Sequence, residues 1–393
     1  MAEKNATTTI WDYLRWRGDL LFTQDGFNEV DNLLLCIVSY IDFRRIIRLR
    51  SFDAADAMPI GDVCALLTEE DEQRGLSPED YIPVMRAMAA TPRFRDVKMF
   101  AFEDSYDEEK VMQFAAVSFL LPDESVFVAY RGTDTTLVGW IEDFNMSFMT
   151  AVPAQLRATE YAAEVANRVP RRSLRIGGHS KGGNLAAWAA IHLPSNLQTD
   201  RLLAAYNNDG PGFDRSILES DGFARVAGKL HTFIPESSVV GMLLEHTEDY
   251  VIIDSTTVSV LQHEPLSWNA LGNRFIYLGQ RGGAAQLGDH VIREWLASLT
   301  REERQEFVET LHQLLSAGGK IKTLEDLHTG GLGSGIALIK EYAGADESKK
   351  KMLSDLMGRL AVDVKEELRR TAGEKLKKAG EDFRQALDKL RIV

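Results

Sequence analysis

One hexapeptide limits the possible folds of this chain more than any other feature: Gly178-His179-Ser180-Lys181-Gly182-Gly183. It follows a short apolar run, Ser173 to Ile176, and opens an alanine-rich segment, Gly182 to Leu193. Gly-x-Ser-x-Gly in that setting predicts a sharp strand–turn–helix junction with a serine at its apex. The turn strains the serine backbone, so the residues two before and two after it must lack bulk, and Gly178 and Gly182 do. The hydroxyl then projects above the sheet edge. The helix that follows aims its N-terminal dipole at negative charge developing there. Ser180 is therefore expected to be a nucleophile, with an ordinary Gly-Ser turn as the alternative.

Segments of strand length surround this junction. Val97 to Phe102, Val111 to Leu121 and Ser125 to Tyr130 come first, and Pro122-Asp123-Glu124 joins the last two as a hairpin. A helix with a stripe of Leu156, Tyr161, Ala162, Val165 and Val169 follows. Further strands are expected at Ser173 to Ile176, Leu202 to Tyr206, Lys229 to Ile234, Tyr250 to Ile253 and Arg274 to Leu278. Strands alternating with helices imply the α/β class, with a mainly parallel central sheet covered on both faces. Residues 1–92 read mainly helical, from Thr9 to Leu14, from Asn28 to Tyr40 and from a start at Ser77-Pro78. The expected organisation is a helical N-terminal region (1–92) packed on an α/β core (93–315), followed by a helical C-terminal extension (316–393).

The extension differs in charge. Residues 345–393 carry 13 Lys and Arg against 10 Asp and Glu, whereas the whole chain has a net charge of −14. Leu353, Leu356, Leu360, Val364 and Leu368 begin an apolar stripe at helical spacing. Docking on the main domain or self-association, a partner helix, and a membrane-surface helix are three readings of it. The acidic balance argues against general nucleic-acid binding, which needs a basic face. Two cysteines, Cys36 and Cys64, are too few for a disulfide scaffold. The chain shows neither a basic segment leading into an apolar run at its start nor a long apolar run elsewhere, so a cytoplasmic location is expected. The histidines are scattered without metal-ligand spacing, and the glycines at 330–335 lack the Lys-Ser/Thr of a phosphate loop. No metal or cofactor is expected.

A nucleophilic serine needs an oxyanion hole, a base and an acid. The backbone N–H of Lys181, the residue after the nucleophile, is the first expected oxyanion donor. The second is the N–H of Thr133, where the strand ending in Tyr130 runs into Arg131-Gly132-Thr133. The Lys181 side chain either favours an anionic substrate group or is solvated. Among eight histidines, the base is expected at His263, in Gln262-His263-Glu264-Pro265. His246 and His290 are late alternatives. His179 should point away from the serine, and His231 sits inside a strand. For the acid, Asp209 lies in Asn207-Asn208-Asp209-Gly210-Pro211-Gly212, a rigid turn at a strand's C-terminal end. The bland alternative for Asp209 is a carboxylate that caps a helix at Phe213.

Tyr130-Arg131-Gly132-Thr133, then Gly139-Trp140-Ile141-Glu142-Asp143-Phe144, resembles the class 3, fungal-type triacylglycerol lipases, as does the elbow itself. The chain is more similar still to a bacterial branch of such lipase-like hydrolases. That similarity lies in Trp11 to Asp19, in the elbow with Asn184, in Asn208 to Phe213 and in Gln262 to Pro265. It spans roughly residues 8–315. The resemblance implies an α/β-hydrolase fold and ester hydrolysis, with no substrate specified. It also implies an acid after the next strand. There the aligned position holds Ser238, with Glu236 two residues earlier, so Glu236 is the alternative acid and Asp254 a third. Asp134 to Phe148 is expected as a lid or its base, with Met146, Phe148 and Met149 either facing an acyl chain or buried in the core.

The expected activity is that of a serine ester hydrolase acting on lipid or other acyl esters through an acyl-enzyme on Ser180, with His263 as base, Asp209 as its acid and Thr133 and Lys181 as oxyanion donors. Acyl transfer to an alcohol shares that intermediate. A non-catalytic scaffold that binds a partner or a membrane surface through residues 345–393 is the rival from another class.

Overall fold

Ser125–Tyr130 is buried along its whole length, and its side chains alternate between two apolar layers. Val126, Val128 and Tyr130 enter one layer; Phe127 and Ala129 enter the other. A strand apolar on both sides must lie inside a sheet that is covered on both faces. The computed structural model describes residues 8–68, 71, 81–107, 112–133, 151–236, 238, 240–242, 249–257, 262–279, 300 and 303. The helix start at Ser77-Pro78, the segment Asp134 to Phe148 with Met149, His246, His290, the glycines at 330–335 and the extension 316–393 fall outside them.

The sheet has nine strands whose spatial order follows the chain. They are β1 (Met58–Pro59), β2 (Lys98–Asp107), β3 (Met112–Leu120), β4 (Ser125–Tyr130), β5 (Ser173–His179), β6 (Leu202–Asn208), β7 (Leu230–Pro235), β8 (Tyr250–Ile253) and β11 (Tyr277–Leu278). β9 (Ala270–Leu271) and β10 (Arg274–Phe275) form a separate antiparallel pair. The single strand expected over Arg274 to Leu278 is thus split between two sheets.

The sheet is mixed, where a mainly parallel one was expected. Neighbours from β4 to β8 run parallel. Those from β1 to β4 run antiparallel, as does β11 on β8. The reason lies in the connections. β3 and β4 are joined by a tight turn, which only antiparallel neighbours can use, whereas the parallel half is linked through helices. β2 carries an irregularity between Phe100 and Glu103, where Ala101 has φ 56°.

Helices cover the two faces. α5 (Pro153–Arg168) and α6 (Lys181–His192) pack on each other, and α6 lies against β4, β5 and β6. On the opposite face α2 (Glu29–Val38) lies against β5, flanked by α1 (Ile10–Arg17) and α4 (Tyr81–Ala89). α2 starts with Asn28, whose side chain accepts from the amides of Val30 and Asp31, while Asp31 answers the Asn28 amide.

The N-terminal layer is held by one fully buried ion pair. Arg93 donates through Nε and Nη2 to the two oxygens of Asp31, at 2.8 and 2.5 Å. Its remaining donors reach the carbonyls of Leu20, Asp25 and Gly26. The Tyr13 hydroxyl donates to Asp31 at 2.7 Å. A guanidinium satisfied on every side fixes the bend between α1 and α2, and from the Trp11 to Asp19 segment Tyr13 joins it through Asp31. Trp188 and Trp268 are core residues. Cys36 is buried, Cys64 is half-buried, and both are free thiols. No described helix is long and apolar enough to cross a membrane.

Candidate active site

Ser180 sits between the end of β5 and the start of α6 with φ 59° and ψ −133°. A non-glycine residue is forced into this region only when its surroundings overdetermine it. The surroundings here are very close. A Cβ on Gly178 would stand 2.0 Å from the Gly182 carbonyl oxygen, and one on Gly182 would stand 2.2 Å from that of Tyr130. The Ser180 amide donates to the Asn208 carbonyl at 2.9 Å, and its own carbonyl accepts from Gly183 at 2.8 Å. Ser180 is half-buried and α6 begins directly after it.

Of the two expected oxyanion donors, Lys181 is the first residue of α6. Its side chain is not solvated, one of the two readings its sequence position invited. It is buried, and its Nζ donates to the Gln113 carbonyl on β3 at 3.0 Å. Thr133, half-buried, follows Gly132. Gly132 packs so tightly that a Cβ there would lie 2.2 Å from the Tyr40 hydroxyl, 2.7 Å from the His179 carbonyl oxygen and 3.1 Å from Ser180 Cβ. The loop after β4 is thereby pressed against the serine.

Asp209 and His263, 54 positions apart, meet at 2.6 Å between Oδ2 and Nδ1. A carboxylate can only accept, so Nδ1 carries a proton, and it is Nε2 that is left to act as a base in the neutral ring. Asp209 is fully buried, and its Oδ1 accepts no hydrogen bond among the described residues. Its backbone is also unusual: φ is 56°, a left-handed conformation that Asp tolerates better than most residues. The Asp209 amide donates to Phe233 on β7 at 2.8 Å. Asn207 closes the turn, with Oδ1 accepting from the Gly210 amide at 2.8 Å and Nδ2 donating to the Gly210 carbonyl at 3.2 Å. The helix-capping alternative does not hold, because the next helix, Arg215–Leu218, is capped by Asp214.

The other candidates lie elsewhere. Asp254 accepts from Asn269 at 2.7 Å. Glu236 follows β7, with its amide on the Ile253 carbonyl, and Asp209 holds the Nδ1 of His263. Ser238 is buried and its hydroxyl accepts from the Gly241 amide. His231 is exposed on β7 and stacks on Tyr206.

The His263 loop is tied at successive residues. Trp268 Nε1 donates to the Gln262 carbonyl at 2.9 Å. The His263 carbonyl is 2.8 Å from His179 Nε2. Glu264 accepts from the Tyr81 hydroxyl at 3.1 Å, and its carbonyl accepts from Ser267. Several of these supports escaped the sequence reading. Asn184 donates to the carbonyls of Pro211 and Gly212 and accepts from Gln155, which anchors the Asp209 turn to α6. The resemblance includes Asn184 in the elbow motif but gives it no role. Tyr40 carried no signal, because its partner lies 139 positions away.

Burial, reinforced by the neighbouring His263, pushes the His179 imidazole well below the usual histidine range, so the ring is neutral. Burial also raises the Tyr40 phenol, against the opposing pull of the Gly132 amide, so it keeps its proton. Among the described residues no group of three or more His, Cys, Asp or Glu side chains is arranged to hold a metal ion. The arrangement offers a serine on a strained turn, a histidine held through Nδ1 by a buried carboxylate, and two backbone segments converging on the serine.

A family model described as Mbeg1-like matches residues 88–313. No curated protein matches the chain. Similar solved structures include a Rhizomucor miehei lipase in complex with its propeptide, at 17% identity over 44% of this chain and 70% of that one, with a TM-score of 0.33. M37 lipase is 13% identical over 56% of this chain and 70% of that one, with a TM-score of 0.36. A mutant form of MDLA from Penicillium cyclopium is 16% identical over 58% and 81%, also with a TM-score of 0.36.

Proposed function

The chain belongs to the Mbeg1-like family, and from that premise we propose that it is a serine hydrolase cleaving carboxylic esters of lipids or other acyl groups through an acyl-enzyme on Ser180. One observation carries the reading. The His263 imidazole is held through Nδ1 by the fully buried Asp209 carboxylate, at the end of the strand beside the one that leads into Ser180.

In the first half-reaction the Ser180 oxygen bonds to the ester carbonyl carbon and its proton passes to Nε2 of His263. The carbonyl π pair moves onto oxygen, where the amides of Lys181 and Thr133 receive it. Each such donor typically contributes about 3 kcal/mol to the transition state. Asp209 stabilises the imidazolium and keeps its ring oriented. The intermediate collapses by breaking the bond to the alcohol oxygen, which takes the proton from His263. Water then adds to the acyl-enzyme by the same route, releasing the acid and restoring Ser180. The reaction needs no redox partner. On this reading residues 93–315 are the catalytic unit, and the helices before them brace it.

The test is labelling with a fluorophosphonate probe, mapped to the modified peptide, in the wild type and in Ser180→Ala and His263→Ala. The proposal expects modification at Ser180 that disappears in both variants. A folded wild type that takes no label, with or without detergent micelles, would rule it out.

A further inference from the structure

We infer that Tyr40 and His179 are positioning residues for the base: together they hold the His263 main chain in register with the loop that carries Gly132 and Thr133. The inference rests on the hydrolase reading of Ser180, His263 and Asp209.

With the His179 ring neutral, the hydrogen bonds have one consistent direction. The His263 carbonyl can only accept, so Nε2 of His179, 2.8 Å away, must carry a proton. A neutral ring with hydrogen at Nε2 has its lone pair at Nδ1. The Tyr40 hydroxyl, 3.1 Å from Nδ1, therefore donates. The same hydroxyl lies 3.3 Å from the His179 carbonyl, which competes with Nδ1 for its single proton. The His263 carbonyl thus selects the tautomer of His179, and the Tyr40 phenol offers a donor to the lone pair which that tautomer leaves at Nδ1.

Packing joins the rest of the site to this chain. The imidazoles of His179 and His263 lie 4.7 Å apart between centroids at 34°, so the first ring is a floor beneath the second. Trp268 closes against His179 edge-on at 6.0 Å, and Tyr81 against Tyr40 at 5.4 Å. Gly132 rests on both the Tyr40 hydroxyl and the His179 carbonyl oxygen, with no room for a methyl group. Displacing either side chain would therefore shift the base and the oxyanion loop together.

Neutrality matters as much as geometry. During turnover His263 becomes a cation, and a second charge on the ring beneath it would oppose that step. Burial keeps His179 uncharged.

Two measurements decide the matter. Long-range proton–nitrogen NMR of the wild type should show His179 as the Nε2–H tautomer, without titration, between about pH 5 and pH 8. An Nδ1–H tautomer, or a titrating ring, overturns the proposal whatever the variants do. The second measurement is the rate of Ser180 labelling by a fluorophosphonate, with kcat and KM for a p-nitrophenyl ester, in Tyr40→Phe, His179→Phe and His179→Gln. Both Phe variants should label about 10- to 100-fold more slowly, with the loss in kcat and not in KM. His179→Gln, which keeps an N–H donor, should recover most of the rate. Folded Phe variants that label at the wild-type rate overturn the positioning role alone. A wild type that takes no label overturns the hydrolase reading beneath it.

Discussion

Asn32 on α2 and Asn208 on β6 exchange hydrogen bonds through their side-chain amides, at 2.8 Å in one direction and 3.3 Å in the other, and both are fully buried. Asn208 also donates to the Gly178 carbonyl at 2.9 Å, and its own carbonyl accepts from the Ser180 amide. The N-terminal helical layer is therefore bonded to the strand end that supports both Ser180 and Asp209. Asn32→Ala strands the buried side-chain oxygen of Asn208, at an expected cost of about 1–3 kcal/mol. The midpoint of urea unfolding reads the loss, and labelling of Ser180 should slow in the folded variant.

The choice of acid has a direct test. Asp209→Asn keeps the shape of the side chain but offers an amide where the imidazole N–H needs a carboxylate. Turnover of a p-nitrophenyl ester should fall about 10³- to 10⁴-fold. Glu236→Gln should leave it at the wild-type rate. The reverse pattern would transfer the role to Glu236.

Gly132→Ala introduces a methyl group where only hydrogen fits. Overpacking of this kind typically costs about 1–3 kcal/mol. Ester turnover should be lost as the loop after β4 is pushed from the serine. Adding Tyr40→Phe removes the atom 2.2 Å from the new methyl but leaves the carbonyl oxygen at 2.7 Å. The double variant should regain part of the thermal midpoint and none of the turnover.

Burial of neutral His179 also has a signature in stability against pH. The unfolded chain takes a proton on this residue below its ordinary value of 6.5, and the folded chain does not. This contribution is present above pH 6.5 and is lost as the pH falls. It declines by about 1.4 kcal/mol per pH unit once the unfolded residue is protonated. His179→Gln removes it, so between about pH 6 and pH 5 the variant should lose less stability than the wild type. Parallel denaturant titrations of the two proteins at each pH would show parallel slopes if His179 were protonated in the fold.

The elbow was the most legible part of the site, because a strained turn needs glycine at fixed positions and neighbours in the chain enforce it. The Asp209 turn was visible for the same reason, in its run of Asn, Asp, Gly and Pro. Most strands and the flanking helices could be read from periodicity, with ends displaced by a few residues. The antiparallel pair joined at Pro122-Asp123-Glu124 is legible from its turn, but the antiparallel setting of β1, β2 and β11, which makes the sheet mixed, has no such local mark. Lys181 was misread because a lysine beside a serine suggests solvent, whereas the helix turns its stem inward toward β3. His179 was dismissed as pointing away from the serine. Its ring meets Tyr40 and the His263 carbonyl, and no local pattern encodes partners so distant.

The Asn32–Asn208 pair closes a loop of 176 positions, while the sheet is laid down in chain order. During synthesis each strand from β2 onward can add to the one before it as it emerges. Helix α2, made early, has no amide to bind until β6 has followed. That polar clasp can close only once β6 is made, whereas the packing of α2 on the helix Tyr81–Ala89 and on β5 can begin before it. The apolar face of α2 can therefore be covered before its register on the sheet is locked, at the stage when a nascent chain is most open to chaperones and to aggregation.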